Sequence, residues 1–244
     1  MKAIGRSDRG KVRENNQDQY TIIKEDGIIF AIVCDGIGGH VGGERASKTI
    51  ISFIKRNFID HPLFDSAKTI KEYIRVLIID ANKYLFSLAQ NEVEYRGMGT
   101  TLVALLLTPE YTILANVGDS RCYGITQENL LLLSEDHSYV NELIKLGKLD
   151  PQQAHTHPYR NMLTNALGIS DVVSVDIYDI KDRYSNYLLC SDGLHGYISN
   201  SEMHQVLKSK LSPTKKVNTL IQSANDAGGF DNITCIYIYE AGGI

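Results

Sequence analysis

The sequence is short of basic runs, paired cysteines and long apolar stretches, and each shortage removes a class of protein. No run of lysine and arginine occurs and the formal net charge is -4, so the basic footprint of a nucleic-acid-binding protein is missing. There is no C-x-x-C pair. The four cysteines, Cys34, Cys122, Cys190 and Cys235, follow no regular spacing, and each lies in or beside an apolar, strand-like run. They read as buried free thiols. A cysteine phosphatase needs an arginine six positions after its nucleophile, so that the loop wraps a phosphate. His40 follows Cys34 at that distance and Gly196 follows Cys190, which excludes the thiol mechanism at the level of motif. The longest apolar runs, such as residues 102–107, fall far below the ~20 residues of a membrane-spanning helix. The opening MKAIGRSDRG has no apolar stretch of a signal peptide, so a cytoplasmic protein without membrane contact is expected.

What is present is enough for a sizeable core: 244 residues, 43% hydrophobic and 22% charged, with no linker, repeat or low-complexity segment. That length allows one large domain or two small ones. Apolar runs at residues 20–23 and 28–34 flank the turn signal KEDG and read as a hairpin. Apolar residues then recur at helical spacing over residues 44–59, with Ala46, Ile50, Phe53, Ile54 and Phe58 on one face. A second helix spans residues 66–90 with Ser66 as its cap. The period changes at GTTLVALLL, TPE and YTILANVGDSRCYGI, which read as long strands joined by a turn. Further strands are expected at residues 129–133, 173–178, 187–190 and 233–239. Further helices are expected at 137–146, at 201–208, and from a cap at Thr214 to Gly228-Gly229. Helices in blocks between blocks of strands predict an α+β layered domain with mostly antiparallel sheets. The least regular piece is residues 147–167, and a long irregular insert in a compact domain is usually functional.

The aspartates stand out by position. FAIVCDGIGGHVGG runs an apolar strand into Asp35, ILANVGDS does the same for Asp119, and YLLCSDG does so for Asp192. GGFDNITCIYIY puts Asp231 at the entrance to another strand. Clustered carboxylates repel one another and lose hydration, so they either take up protons or hold a cation. Oxygen donors alone select magnesium or manganese over zinc. A glycine after the ligand allows close approach and frees a carbonyl. One Asp-Gly is an ordinary turn dipeptide; four aspartates in the same strand-end context favour a metal site.

Two other motifs are weaker. GIGGHVGG resembles a dinucleotide loop, but G-x-G-x-x-G started at Gly36 meets Val41 at its last glycine, and no P-loop lysine follows. HTHP at residues 155–158 has no partner cluster for zinc and reads as two surface histidines. Arg13, in the polar stretch GKVRENNQD, would be a surface residue taken alone. Its planar fork suits a phosphate that metals also hold.

The segments SDRGKVRENNQD, VCDGIGGHVGGERAS, GMGTTLVALL, ANVGDSRCYGI, LSEDHSYVNEL, HPYRNMLTNALG, LLCSDGLHGYI and GGFDNIT span nearly the whole chain. In kind and order they resemble the metal-dependent Ser/Thr protein phosphatases of type 2C, in their compact bacterial form. The resemblance implies a single domain over residues 1–244, of two packed antiparallel sheets with helix pairs on both outer faces. It implies a two-metal centre, manganese or magnesium, with Asp35 bridging, Gly36 lending its carbonyl, and Asp192 and Asp231 holding the second ion. Asp119 matches a ligand of a third, weaker ion shared with Asp192. Arg13 matches the phosphate-binding arginine, and residues 147–167 match a mobile flap, with Asn161 near a flap position that reaches the third ion. Gln17, Asp18 and Asn232 are expected behind the ligands. Gln17 stands where many relatives have glutamate. Ile37 stands where eukaryotic relatives carry a histidine proposed as general acid, and His40 lies three residues on.

The expected function is hydrolysis of phosphoserine and phosphothreonine in proteins by a metal-activated water, without a phosphoenzyme intermediate. Arg13, Asp35 and Asp192 carry the chemistry in this reading. The partners implied are phosphorylated proteins and a cognate Ser/Thr kinase, and a monomer is expected. Two alternatives stand beside it: a non-catalytic phosphoprotein-binding domain, and a metal phosphoesterase acting on small molecules.

Overall fold

Strands that are apolar at every position need cover on both faces, and the fold supplies it. The computed structural model describes all residues except 26, 40, 41, 59, 60, 183 and 241–244, and the side chain of residue 155. It opens with β1 (Lys2–Asp8), β2 (Gln19–Glu25), β3 (Ile28–Cys34) and the short β4 (Gly36–Ile37), then α1 (Gly42–Phe58) and α2 (Ala67–Asn91). A second block holds β5 (Gly99–Thr100), β6 (Leu102–Leu107), β7 (Thr112–Val117), β8 (Arg121–Ile125) and β9 (Leu130–Leu132), followed by α3 (Tyr139–Lys145). The chain ends with β10 (Asp176–Asp179), β11 (Asn186–Cys190), α4 (Asp192–His195), α5 (Asn200–Lys208), α6 (Pro213–Asp226) and β12 (Ile233–Tyr239).

Ten of the strands form two five-stranded sheets, ordered β1-β12-β11-β8-β9 and β10-β7-β6-β3-β2, β4 and β5 pair with each other, and all these pairs are antiparallel. Period-two alternation then sorts side chains between layers. On β3, Phe30, Ile32 and Cys34 pack under α1 and α2, while Ile29, Ala31 and Val33 face the other sheet. On β11, Leu188 and Cys190 pack under α5 and α6, while Tyr187 and Leu189 face inward. The result is the expected four-layer αββα sandwich, held by one core between the sheets and one under each helix pair. Each fully buried large apolar side chain contributes about 1.5–3 kcal/mol relative to exposure.

Local expectations hold with specific corrections. Ser66 caps α2, accepting from the Thr69 N–H, and α5 carries a capping box between Ser199 and Glu202. The cap of α6 is Ser212 rather than Thr214, because Pro213 occupies the first helical position and moves the start upstream. Helix α3 begins after Ser138, which leaves His137 outside it. Strand β1 was not expected: its KAIGRSD sequence has little apolar alternation, and it forms by pairing with β12. The run at residues 111–125 is two strands, not one. Gly118, at φ +101, turns the chain so that β7 stays in one sheet and β8 enters the other. A Cβ at Gly118 would meet the Thr101 side chain at 2.6 Å, so the turn requires glycine. Parts of the GIGGHVGG and KEDG readings, His40 and Asp26 among them, lie outside the described residues.

Candidate active site

The links between strands converge at one end of the sandwich. Asp35 joins β3 to β4, Asp119 sits between β7 and β8, Asp192 opens α4 directly after β11, and Asp231 precedes β12. All four line one cavity of about 760 Å³, together with Arg13 and Gly36. The sequence expectation that strand ends gather these aspartates therefore holds, with one refinement: Asp192 begins a short helix rather than closing a strand.

Backbone contacts set each carboxylate in place. The Asp35 N–H donates to Thr101 Oγ1 at 2.9 Å, and its carbonyl accepts from the Thr101 N–H and the Thr100 hydroxyl, both at 2.8 Å. The Thr101 and Ser120 hydroxyls share a hydrogen bond of 2.8 Å, which ties the Asp35 link to the Asp119 turn. A Cβ on Gly36 would meet the Gly43 carbonyl oxygen at 2.1 Å, and one on Gly193 would meet the Asn232 carbonyl oxygen at 2.0 Å. Glycine after each of these aspartates is thus required because another backbone lies against it. That packing brings the start of α1 to Asp35, and the entrance of β12 to Asp192.

Arg13 comes from the loop after β1. Its Nη2 donates to Asp231 Oδ2 at 2.8 Å and its Nε to the Phe230 carbonyl at 3.3 Å. The guanidinium is thereby oriented at the cavity edge with its side chain 52% exposed. Asn232 holds the same loop. It accepts from the Gln17 N–H at 2.8 Å, and its Nδ2 donates to the carbonyls of Arg9 (2.8 Å) and Asn15 (2.9 Å). Gln17 lines the cavity and donates its side-chain N–H to the Gly39 carbonyl at 2.8 Å. Asp18 is buried behind the site, where its Oδ2 accepts from the Ser191 hydroxyl at 2.6 Å.

The electrostatics are those of an uncompensated acidic cluster. Burial first, then Asp18, Asp192, Asp119 and Asp231, pushes the Asp35 carboxyl well above its ordinary range. Burial followed by neighbouring carboxylates raises Asp119 to about 8 and Asp192 to about 6. Asp18 rises to about 7, chiefly through burial, although bonds from Ser191 and Thr234 oppose the shift. Two buried oxygens of this cluster, Asp192 Oδ1 and Asp18 Oδ1, have no hydrogen-bond partner among the described residues. Buried oxygens without a donor, and carboxyls raised by one another, are the two signs of a missing positive charge. The all-oxygen donor set suits magnesium or manganese. Among the described residues no three His, Cys, Asp or Glu side chains close into a cation-sized cage. The residues present fit the expected ions as a gathered but open donor set.

The insert forms the opposite wall. Residues 151–156 make a 3-10 turn capped by Asp150, and Asn161, Leu163 and Asn165 line the cavity. His157 packs its ring near Tyr139 and Tyr159, which places the second histidine of HTHP in an aromatic cluster. The four cysteines are all buried, and burial pushes each thiol up, Cys235 to about 12, so none is a nucleophile at this cavity. Sequence reasoning missed Ser191, Thr234, Thr100, Thr101, Ser120 and His137. A usable signal existed for most of them: small hydroxyl residues at the ends of apolar strand runs, and within one at Thr234. No helix among the described residues is long and apolar enough to cross a membrane.

Residues 4–226 match the protein phosphatase 2C family, and the chain belongs to that family. It is 37% identical over 240 residues to a serine/threonine phosphatase, stp, of Listeria welshimeri, covering 98% of this chain and 95% of that one. It is 37% identical to the protein phosphatase PhpP of Streptococcus pneumoniae, covering 93% of each. Among solved structures, the serine/threonine phosphatase Stp1 of Staphylococcus aureus superposes with a TM-score of 0.92 at 35% identity, over 98% of this chain and 95% of that one.

Proposed function

We propose that this cavity hydrolyses phosphoserine and phosphothreonine esters of proteins with the help of divalent cations. As a member of its family the chain is a serine/threonine protein phosphatase. The single observation that carries the site assignment is the meeting of Asp35, Asp119, Asp192 and Asp231, from four separate links, beside one oriented guanidinium. Asp35, the Gly36 carbonyl, Asp192 and Asp231 would hold two manganese or magnesium ions, and Asp119 with Asp192 a third, weaker one. When bound, such ions supply a water acidified to near-neutral pKa and offset the charge of the phosphate.

The chain's own residues bind and orient. Arg13, fixed by Asp231 and the Phe230 carbonyl, presents N–H donors to the phosphate oxygens, where charge builds as the ester bond breaks. Asp18, held by Ser191, stands behind the ligands at a buried position. Asn232 and Gln17 keep the Arg13 loop and the glycine loop in register. Ile37 lines the cavity and has no proton to give the leaving alkoxide. The insert at residues 147–167 forms the wall on which a substrate chain would lie, as a flap. A cognate Ser/Thr kinase and a monomeric state are part of the same reading.

The test is phosphate release from phosphoserine and phosphothreonine peptides, set against a panel of nucleotides and sugar phosphates, with manganese and with chelator. Turnover of the peptides alone, abolished by chelation and restored by manganese, is expected. Turnover only of small molecules would establish the phosphoesterase alternative. Tight phosphopeptide binding without release would establish the non-catalytic one.

A further inference from the structure

His137 is a buried side chain that the proposed chemistry does not use, yet it joins two walls of the cavity. The His137 backbone N–H donates to the Gly118 carbonyl at 2.9 Å, and the Gly118 N–H donates back to His137 Nδ1 at 3.2 Å. These reciprocal bonds clamp the positive-φ residue immediately before Asp119. On the other side, Thr164 N–H donates to the His137 carbonyl at 2.9 Å, and Asn165 Nδ2 lies 2.9 Å from Nδ1. Thr164 and Asn165 belong to the returning limb of the insert and line the cavity.

The tautomer follows from these partners. Asn165 Nδ2 also faces the Ser174 carbonyl at 2.7 Å, which identifies it as the amide nitrogen and therefore as a donor to His137. The Gly118 N–H can only donate. Nδ1 accepts twice and carries no proton, so the ring proton sits on Nε2, facing Asp176 Oδ2 at 3.1 Å. The same oxygen accepts from the Tyr178 hydroxyl at 2.9 Å, which anchors the arrangement on β10.

We propose that His137 is a positioning residue whose unprotonated Nδ1 binds the Gly118–Asp119 turn and the Asn165 limb of the insert into one unit. The placement of the Asp119 carboxylate and the shape of the substrate wall are then coupled through one atom. The part that concerns turnover rests on the proposed role of Asp119; the hydrogen-bonded unit itself does not.

The variants separate the two ring nitrogens. In His137→Asn the amide oxygen can replace Nδ1 as acceptor, whereas His137→Gln places its amide near Nε2 and leaves Gly118 without one. His137→Asn should keep kcat/KM on a phosphopeptide within about threefold. His137→Gln and His137→Ala should lose about tenfold, the cost of one buried donor left unpaired. In chelated wild-type protein near neutral pH, the imidazole 15N spectrum should show an unprotonated Nδ1 and a protonated Nε2. The Gly118 amide should exchange faster in His137→Gln than in His137→Asn. A proton on Nδ1, or equal Gly118 amide exchange in His137→Gln and His137→Asn, would overturn the proposal; so would normal turnover in His137→Gln, or equal losses in all three variants, where Asp119→Ala itself lowers turnover. Asp119→Ala distinguishes the failures. Unchanged turnover there, with the spectrum and exchange as expected, removes Asp119 from the reaction and leaves the His137 unit standing.

Discussion

The two rims of the carboxylate cavity are built in different ways. The Arg13 rim is stitched between the ends of the chain: Arg13 to Asp231, Gln17 to Asn232, and Asp18 to Ser191, across sequence separations of 218, 215 and 173. It uses charge, and its carboxylates and guanidinium face one another. The Asp119 rim is local by comparison. Gly118, His137 and Asn165 hold it with neutral hydrogen bonds at separations of 19 and 28. The first rim thus depends on β1 and β12 being paired before any phosphate site exists. The second spans shorter separations, although Thr101, Asp176 and His195 also reach it from neighbouring elements. A fault in the first should remove chemistry, and a fault in the second should detune it.

The largest break should come between the rims, at the carboxylates they share. Asp35→Asn and Asp192→Asn keep shape but remove charge from the cation donors. A fall in kcat on the order of a thousandfold or more is expected, because the proposed nucleophile is a water acidified by those cations. Near-normal kcat at saturating manganese in either variant would contradict the assignment. Next comes Arg13→Ala, which removes the phosphate clamp and leaves the donors. About 2–4 kcal/mol of transition-state stabilisation should be lost, as for a charge-stabilising donor elsewhere. Metal binding, read by calorimetry, should change little; a collapse of metal affinity would place Arg13 outside the phosphate site.

Asn232→Ala sharpens the contrast, since it touches no reacting group yet cuts three bonds of the Arg13 rim. A destabilisation of about 1–3 kcal/mol is expected from the unpaired backbone groups. It should come with a kcat/KM loss smaller than that of Arg13→Ala. If melting and turnover both stay at the wild-type level, the loop is held by something else.

A further effect falls on stability against pH in chelated protein. Asp119 at about 8, Asp18 at about 7 and Asp192 at about 6 keep protons in the fold that the unfolded chain, with an ordinary value of 3.8, releases. The folded state binds more protons across that window, so stability falls as pH rises from about 4 to about 8. Thermal melts in chelator should show this slope, and saturating manganese should flatten it. A slope of the opposite sign would mean that the carboxylates are not crowded as described.

Inter-sheet packing answers to neither rim. Leu105→Ala, in the core between the sheets, should cost about 2–5 kcal/mol and leave the kcat of folded protein unchanged.

Much of this was legible in the sequence, for particular reasons. The all-apolar runs around Phe30, Leu105 and Leu189 announce strands covered on both faces, and helical spacing marks α1 and α2. The four aspartates are visible because a charge that closes an apolar run has few bland explanations when it recurs. Other features are invisible at that level. Strand β1 exists only because β12 offers it an edge to pair with. The split of residues 111–125 between sheets depends on Gly118 having Thr101 beneath it. The raised carboxyls come from side chains scattered from Asp18 to Asp231 along the chain. The roles of His137 and Asn232 likewise need a partner in space. Residue type and periodicity are local properties, and they decided the elements and the donor chemistry. Burial, charge crowding and hydrogen-bond partnership are sums over neighbours distant in sequence, and only the packed sandwich could decide those.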